Sequence, residues 1–258
     1  MSGSLVMIHG AFAGGWCFDD FRLPFEARDW QTSAPDLPRH GGPLPAEEHS
    51  ALAGLGLRDY ADALERHVRA QAPTGEAVLL GHSMGGLLAQ MLAARGLARG
   101  LILLAPAAPW GILPSSHDEI AAATGLMSLG DFWTRQLLPE FEVAAENSLN
   151  CLSPERQRAV FARFGAESGR ALFEMLFWMF DPDAASHVNA VKVDCPVLCI
   201  AGGRDRLIAP ATIRQIAARY AAVAALEEFE AMGHMLPLED GSDTVAEVCL
   251  DWLAASLD

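Results

Sequence analysis

A chain of 258 residues, 51% of them hydrophobic, is long enough for one α/β domain with an insertion and a large buried core. The formal net charge of −15, from 33 acidic against 18 basic residues, and the absence of any basic run exclude nucleic acid and anionic membranes as partners. The scattered cysteines Cys17, Cys151, Cys195, Cys199 and Cys249 form no C-x-x-C pair and no metal spacing, which suits reduced thiols in a cytoplasm and no bound metal. The apolar stretch Leu5 to Ile8 is too short for a signal peptide or a membrane span.

Leu5-Val6-Met7-Ile8 is a continuous apolar run and predicts a strand buried on both faces. Phe18 to Asp29 carries phenylalanines at helical spacing, and Gln31 to Ala34 is a short candidate strand. Asp36 to Gly56, rich in proline, glycine and histidine, reads as loop. Leu57 to Gln71 predicts a helix with Leu57, Tyr60, Ala61, Leu64, His67 and Val68 on one side. Strands follow at Ala77 to Leu80 and Leu101 to Leu104, with a helix between them from Leu87 to Arg95. Unbroken apolar strands alternating with helices predict a parallel sheet covered on both faces.

The rhythm breaks at Pro106. From there to Val191 the pattern is helical, without a convincing strand, and holds ten of the chain's twenty aromatic residues. Leu172 to Phe180 is apolar nearly all round and predicts a helix buried on several sides. An insertion between two sheet strands is expected to lie over their carboxyl ends, where ligands bind. The sheet resumes at Pro196 to Ala201; a helix over Ala211 to Ala222, a strand over Ala225 to Phe229 and a last helix over Asp243 to Ser256 complete the chain.

Between the strand ending at Leu80 and the helix starting at Leu87 sits G-x-S-x-G, formed by Gly81, Ser83 and Gly85. Small neighbours suit a serine on a cramped strand-to-helix turn, hydroxyl projecting above the sheet, with helix amides facing a developing oxyanion. A serine nucleophile needs a base, and the base an orienter. Of eight histidines, His234 follows the last strand and precedes the last helix, the position from which a loop reaches across the sheet's carboxyl edge. Asp205 follows the strand ending at Ala201, whereas Asp194 precedes that strand, and Glu239 and Asp240 lie after the histidine.

The order Ser83, Asp205, His234 is that of the α/β-hydrolase superfamily, which the chain resembles over essentially its whole length. His9-Gly10-Ala11-Phe12-Ala13-Gly14-Gly15-Trp16 looks like that family's oxyanion loop. The resemblance implies an oxyanion hole from the backbone amides of Ala11 and Met84, with His9 structural. It implies a mostly parallel sheet of about six strands, the two N-terminal strands of larger members being absent. The core domain is expected over 1–106 and 192–258, and a helical cap over 107–191. H-G-A-x-x-G-G-W together with G-H-S-M-G-G resembles the methylesterase and hydroxynitrile-lyase group. The lyases carry a lysine after the catalytic histidine; Met235 stands here, and Lys192 is the only lysine, so the esterase side is favoured.

The expected activity is cofactor-free hydrolysis of small neutral hydrophobic carboxylic esters through an acyl-enzyme. Phe12, Trp110, Leu207 and Met235 are candidates for the pocket wall, with core packing as the competing role of each. Between Pro106 and Val193 eleven acidic residues face six basic ones, which disfavours anionic substrates. Lactone, thioester or carbon–carbon bond hydrolysis uses the same triad, and a ligand receptor with negligible turnover retains it. The expected partner is a small-molecule ester, and the assembly left open includes a homodimer.

Overall fold

The computed structural model describes residues 3–41, 48–72, 77–220 and 222–257. Strand β1 (Ser4–Ile8) is followed by a 3-10 turn over Gly15–Phe18, helix α1 (Leu23–Glu26) and strand β2 (Gln31–Ser33). Next come α2 (His49–Ala53), α3 (Leu57–Gln71), β3 (Val78–His82), α4 (Met84–Ala93) and β4 (Gly100–Leu104). The insertion contains α5 (His117–Met127), β5 (Gln136–Leu137), α6 (Phe141–Glu146), α7 (Pro154–Phe161), β6 (Glu167–Ser168) and α8 (Gly169–Leu176). Strand β7 (Val197–Gly202), α9 (Pro210–Arg219), β8 (Ala224–Phe229) and α10 (Ser242–Ser256) close the chain.

Six strands form one wholly parallel sheet in the order β2-β1-β3-β4-β7-β8. The chain leaves β1 toward one edge and returns to its other side at β3, so strand order reverses between these two strands. Open α/β sheets bind ligands outside the carboxyl ends at such a reversal. The central strands have no solvent-facing side: Leu5 to Ile8, Val78 to Leu80 and Leu101 to Leu104 are all fully buried. Helix α4 is buried along its whole length, which explains why its sequence shows no polar face. Edge strand β8 exposes Leu226, Glu227 and Glu228, and its two charges discourage pairing with a further strand.

Several sequence expectations are corrected. The region from Phe18 to Asp29 holds only the four-residue α1, because Pro24 starts it and Asp29, at φ 63°, turns the chain away. Phe18, Phe21 and Phe25 are nevertheless all buried, so the spacing reported burial rather than a continuous helix. The expected loop from Asp36 to Gly56 contains α2; positions 42–47 lie outside the described residues. The insertion, expected to lack strands, carries the antiparallel ribbon of β5 and β6. Helix α8 stops at Leu176, and the 3-10 turn after it leaves Met179 and Phe180 half or more exposed. The insertion shares the main core through Phe132, Leu172, Met175 and Phe177.

Three buried glutamates join the insertion to the sheet domain. Glu119 accepts from the Ala209 amide at the start of α9 (2.8 Å) and from the Thr212 hydroxyl (3.0 Å). Glu174 accepts from the Leu57 amide at the start of α3 (2.7 Å). Both carboxylates satisfy first-turn amides that have no partner within their own helix. Glu167 reaches the loop after β1.

The turn after β3 has no spare volume. A Cβ on Gly81 would collide with the Gly85 carbonyl, and one on Gly85 with the Ile8 and His9 carbonyls. Gly81→Ala or Gly85→Ala is expected to destabilise the fold by at least about 3 kcal/mol, since backbone cannot yield as a side chain does. Gly125→Ala, in open space on α5, should instead stabilise by roughly 0.5–1 kcal/mol. Urea denaturation of the three variants checks both signs.

Candidate active site

Ser83 occupies the turn between β3 and α4 with φ 54° and ψ −123°, a conformation that L-residues rarely adopt. Its amide donates to the Leu104 carbonyl (3.1 Å), and its carbonyl accepts from the amides of Gly86 (2.8 Å) and Ala107 (2.9 Å). These bonds hold the strained residue at the head of α4, whose first amides lack intrahelical acceptors. Met84 is the first residue of α4. The loop after β1 lies against the same turn: a Cβ on Gly10 would stand 2.8 Å from Ser83 Cβ. The two segments that carry the Ala11 and Met84 amides therefore flank the serine.

The loops after β7 and β8 bring His234 and Asp205 together, both nearly inaccessible to solvent. His234 Nδ1 donates to Asp205 Oδ2 at 2.8 Å. The other carboxylate oxygen, Oδ1, accepts from the amides of Leu207 (2.8 Å) and Ile208 (2.9 Å), which fixes the acid's rotamer. A proton on Nδ1 leaves Nε2 as the basic nitrogen of the neutral ring. Asp194 is exposed at the opposite end of β7, and Asp240 pairs with Arg156 at the surface.

Two residues beside the pair have roles that their positions in the sequence did not disclose. Glu239 accepts from the amides of Gly233 (2.6 Å) and Met235 (2.9 Å), bracketing His234 on both sides. The four-residue spacing from Met235 to Glu239 is the only sequence signal for this clamp. His82 packs its ring 4.9 Å from that of His234, and its Nε2 donates to the His234 carbonyl at 2.8 Å. That bond links the serine turn to the histidine loop. A cavity of about 680 Å³ opens beside Asp205, between Asn150 to Ser153 of the insertion and Gly203 to Arg206.

The remaining histidines are accounted for locally. His9 Nδ1 donates to the Gly10 carbonyl (2.8 Å), while its Nε2 accepts from the Leu37 amide (2.9 Å). His40 is paired with Glu167 (3.0 Å) and His67 with the Ser33 hydroxyl (3.1 Å). His117 and His187 are exposed on the insertion, and His49 starts α2. All five cysteines are free, and burial holds the thiols of Cys195 and Cys199 up at about 11 and about 12, unreactive near neutrality. Among the described residues no three His, Cys, Asp or Glu side chains converge to hold a metal ion.

The four pocket candidates are dispersed. Phe12 is half-buried at φ 62° in the loop after β1, and Leu207 is half-buried beside Asp205. Met235 is buried in a cluster with Leu149 and Leu152, packed by Trp16, Phe161 and Phe164. Trp110 is 39% exposed and packs on Trp178 and His187.

The alpha/beta hydrolase family matches residues 5–248, and the chain belongs to that family. A pimeloyl-[acyl-carrier protein] methyl ester esterase of Neisseria meningitidis is 34% identical over 223 residues, covering 80% of this chain and 77% of the relative. A pyrethroid hydrolase of Sphingobium wenxiniae is 36% identical over 93 residues, 34% of this chain and 30% of its own. The crystal structure of a methylesterase from Arabidopsis superposes with a TM-score of 0.71 at 15% identity, covering 97% of this chain and 98% of that one. At that identity the likeness shows the shared fold.

Burial keeps His9 neutral down to about pH 4, aided by the charge of His40, and His82 down to about pH 3, aided by the charge of His234. Both values lie below the unfolded histidine value of about 6.5, so acid favours the unfolded chain. The stability they contribute is intact above that value and drains as pH falls toward 4 and 3. Each costs up to about 1.4 kcal/mol per pH unit over its window. In urea titrations at pH 5, 6 and 7, His9→Asn is expected to flatten the acid loss by about that slope. An unchanged slope would show that His9 is not held neutral.

Proposed function

We propose that the chain is a serine hydrolase of small, neutral, hydrophobic carboxylic esters. The observation that carries this reading is the buried His234–Asp205 hydrogen bond, tied through His82 to the turn that holds a strained Ser83 at the reversal point of a parallel sheet. Ser83 Oγ attacks the ester carbonyl as His234 Nε2 takes its proton. Asp205 keeps the ring in the required tautomer and balances the imidazolium charge. The carbonyl electron pair becomes an oxyanion, received by the amides of Ala11 and Met84. Collapse expels the alcohol, which takes the proton back from His234, and leaves an acyl-serine. Water, deprotonated by the same base, then releases the acid.

Residues 107–191 act as a cap on a core formed by 1–106 and 192–258. Segment 150–153 borders the cavity beside Asp205, and Trp16, Phe161 and Phe164 gather around Met235, next to the base. The cavity itself is lined mainly by polar residues, Arg204 and Arg206 among them, so the apolar cluster around Met235 is what favours apolar acyl or alcohol groups. Phe12 and Leu207, half-buried beside the oxyanion loop and the acid, are the remaining wall candidates, while Trp110 suits a role in packing the cap. The names of a methyl ester esterase and a pyrethroid hydrolase among the relatives point the same way.

Ser83→Ala should leave the fold intact and lower kcat on a p-nitrophenyl ester by roughly 10⁶, and Asp205→Asn by about 10⁴. A fluorophosphonate should label wild type at Ser83 and leave Ser83→Ala untouched. A Ser83→Ala protein, free of wild type, that keeps a tenth of the turnover removes that serine from the mechanism.

Selectivity is tested with a methyl ester and its matched hemisuccinate. The neutral compound should have the higher kcat/KM by at least about tenfold at low salt, narrowing as salt screens the protein's charge. The opposite preference at low salt would sink the neutral-substrate assignment.

A further inference from the structure

Glu119 and Glu174 end on helix N-termini, but the third buried glutamate of the insertion does not. The Glu167 carboxylate is completely buried, and among the described residues no arginine or lysine pairs with it. Its Oε1 accepts from the Tyr60 hydroxyl (2.7 Å) and the Ser168 amide (2.7 Å). Its Oε2 accepts from His40 Nε2 (3.0 Å) and the Phe12 amide (3.4 Å). Four donors offset a desolvation that would otherwise cost several kcal/mol.

His40 Nδ1 lies 3.1 Å from the Pro38 carbonyl, so both ring nitrogens face groups that only accept. The ring therefore carries both protons, and the contact is a buried imidazolium–carboxylate pair. Burial alone would lower the His40 pKa and raise that of Glu167; their mutual charge and hydrogen bond reverse both directions.

Phe12 is the residue on which this pair acts. It adopts φ 62°, strained for a side chain of its size, and both of its backbone polar groups are held by the insertion. Glu167 takes its amide, and the Gly165 amide donates to its carbonyl at 2.8 Å. Ala11 is thereby fixed from both sides: Gly10 is wedged against Ser83, and Phe12 is gripped by residues 165 and 167. A tether serving only to attach the insertion would not need to grip a strained residue one step from the oxyanion amide.

We propose that Glu167 is a positioning residue, reaching from the insertion to hold Phe12 so that the Ala11 amide points at the oxyanion formed from the substrate of Ser83. The oxyanion part rests on the hydrolase reading above; the grip on the loop does not. Docking of the insertion and assembly of the oxyanion hole are then linked, because the insertion supplies the partners of both Phe12 backbone groups.

The test compares Glu167→Gln with Glu174→Gln, a tether variant that bonds α3 and makes no bond to the loop. Hydrogen exchange of the segment 9–16, referenced to β3, should quicken about tenfold in Glu167→Gln and stay at the wild-type rate in Glu174→Gln. On a p-nitrophenyl ester, Glu167→Gln should lower kcat about 10–100-fold with KM within about threefold, part of the loss known for removing an oxyanion donor outright. A trifluoromethyl ketone adds Ser83 Oγ to its carbonyl carbon, the proton passing to His234 and the carbonyl pair becoming the oxyanion. Its affinity should fall by the same factor as kcat, while that of the matching alcohol is unchanged.

Unchanged exchange at 9–16 in a folded Glu167→Gln overturns the proposal, as does lost thermal stability with kcat and ketone affinity intact. Should Glu167→Gln not fold, His40→Gln, which frees the oxygen that holds Phe12, must show the same parallel losses or the proposal fails. A wild type without ester turnover or phosphonate labelling would instead overturn the hydrolase reading, and hydrogen exchange would still decide the grip on Phe12.

Discussion

Everything around the candidate site depends on how little room there is where β3 becomes α4. The backbone of Gly85 packs against the carbonyls that end β1, and Gly81 packs against Gly85, so the helix must begin where the strand stops. Ser83 is then forced to φ 54°, at a cost of roughly 1–3 kcal/mol. Phe12 after β1 and Ala105 after β4 are also non-glycine residues at positive φ, on the two strands that flank β3. Three strained residues at adjacent strand ends mark the carboxyl edge of the sheet as the place where folding energy is traded for geometry. The surrounding hydrogen bonds, rather than local preference, keep them there: Ser83 alone makes four backbone bonds, two to the first turn of α4 and two to the end of β4 and the loop after it.

The insertion is tied into the sheet domain by its own buried charges. Its three buried glutamates replace, at α3, α9 and the loop after β1, acceptors that the sheet domain does not supply itself. This also changes the electrostatic argument from composition. Three of the eleven acidic residues between Pro106 and Val193 are buried and bonded to donors of the same chain, so they contribute little to the field met by an approaching ligand. The proposed preference for neutral substrates rests instead on the apolar residues around Met235 and on the remaining surface carboxylates.

The sheet was legible because parallel strands buried on both faces leave unbroken apolar runs, and β1, β3, β4 and β7 read out within one or two residues. The pairing of His234 with Asp205 was legible from their positions after late strands. The insertion was not. Its helices are short, α8 ends in a 3-10 turn, and the β5–β6 ribbon has two residues per strand, too few to leave a period. Glu167, Glu174 and Glu239 were illegible for another reason: a glutamate that accepts backbone amides from distant segments looks, in sequence, like any solvated charge.

His82 shows how the pieces of the site are coupled. Its Nε2 is committed to the His234 carbonyl, so its Nδ1 carries no proton and faces the interior without a partner. An unpaired buried acceptor costs on the order of 1–3 kcal/mol, a penalty that an apolar residue at position 82 would avoid. What the histidine adds is a direct bond between the turn that presents Ser83 and the loop that presents His234. Glu239 fixes the same loop through the two amides flanking His234, and Asp205 fixes its ring. The carbonyl, the neighbouring amides and the imidazole of one segment are thus held by three separate elements. With so many independent anchors, the His234 loop and the turn that carries Ser83 are held by the scaffold itself, the condition under which positioning lowers a barrier.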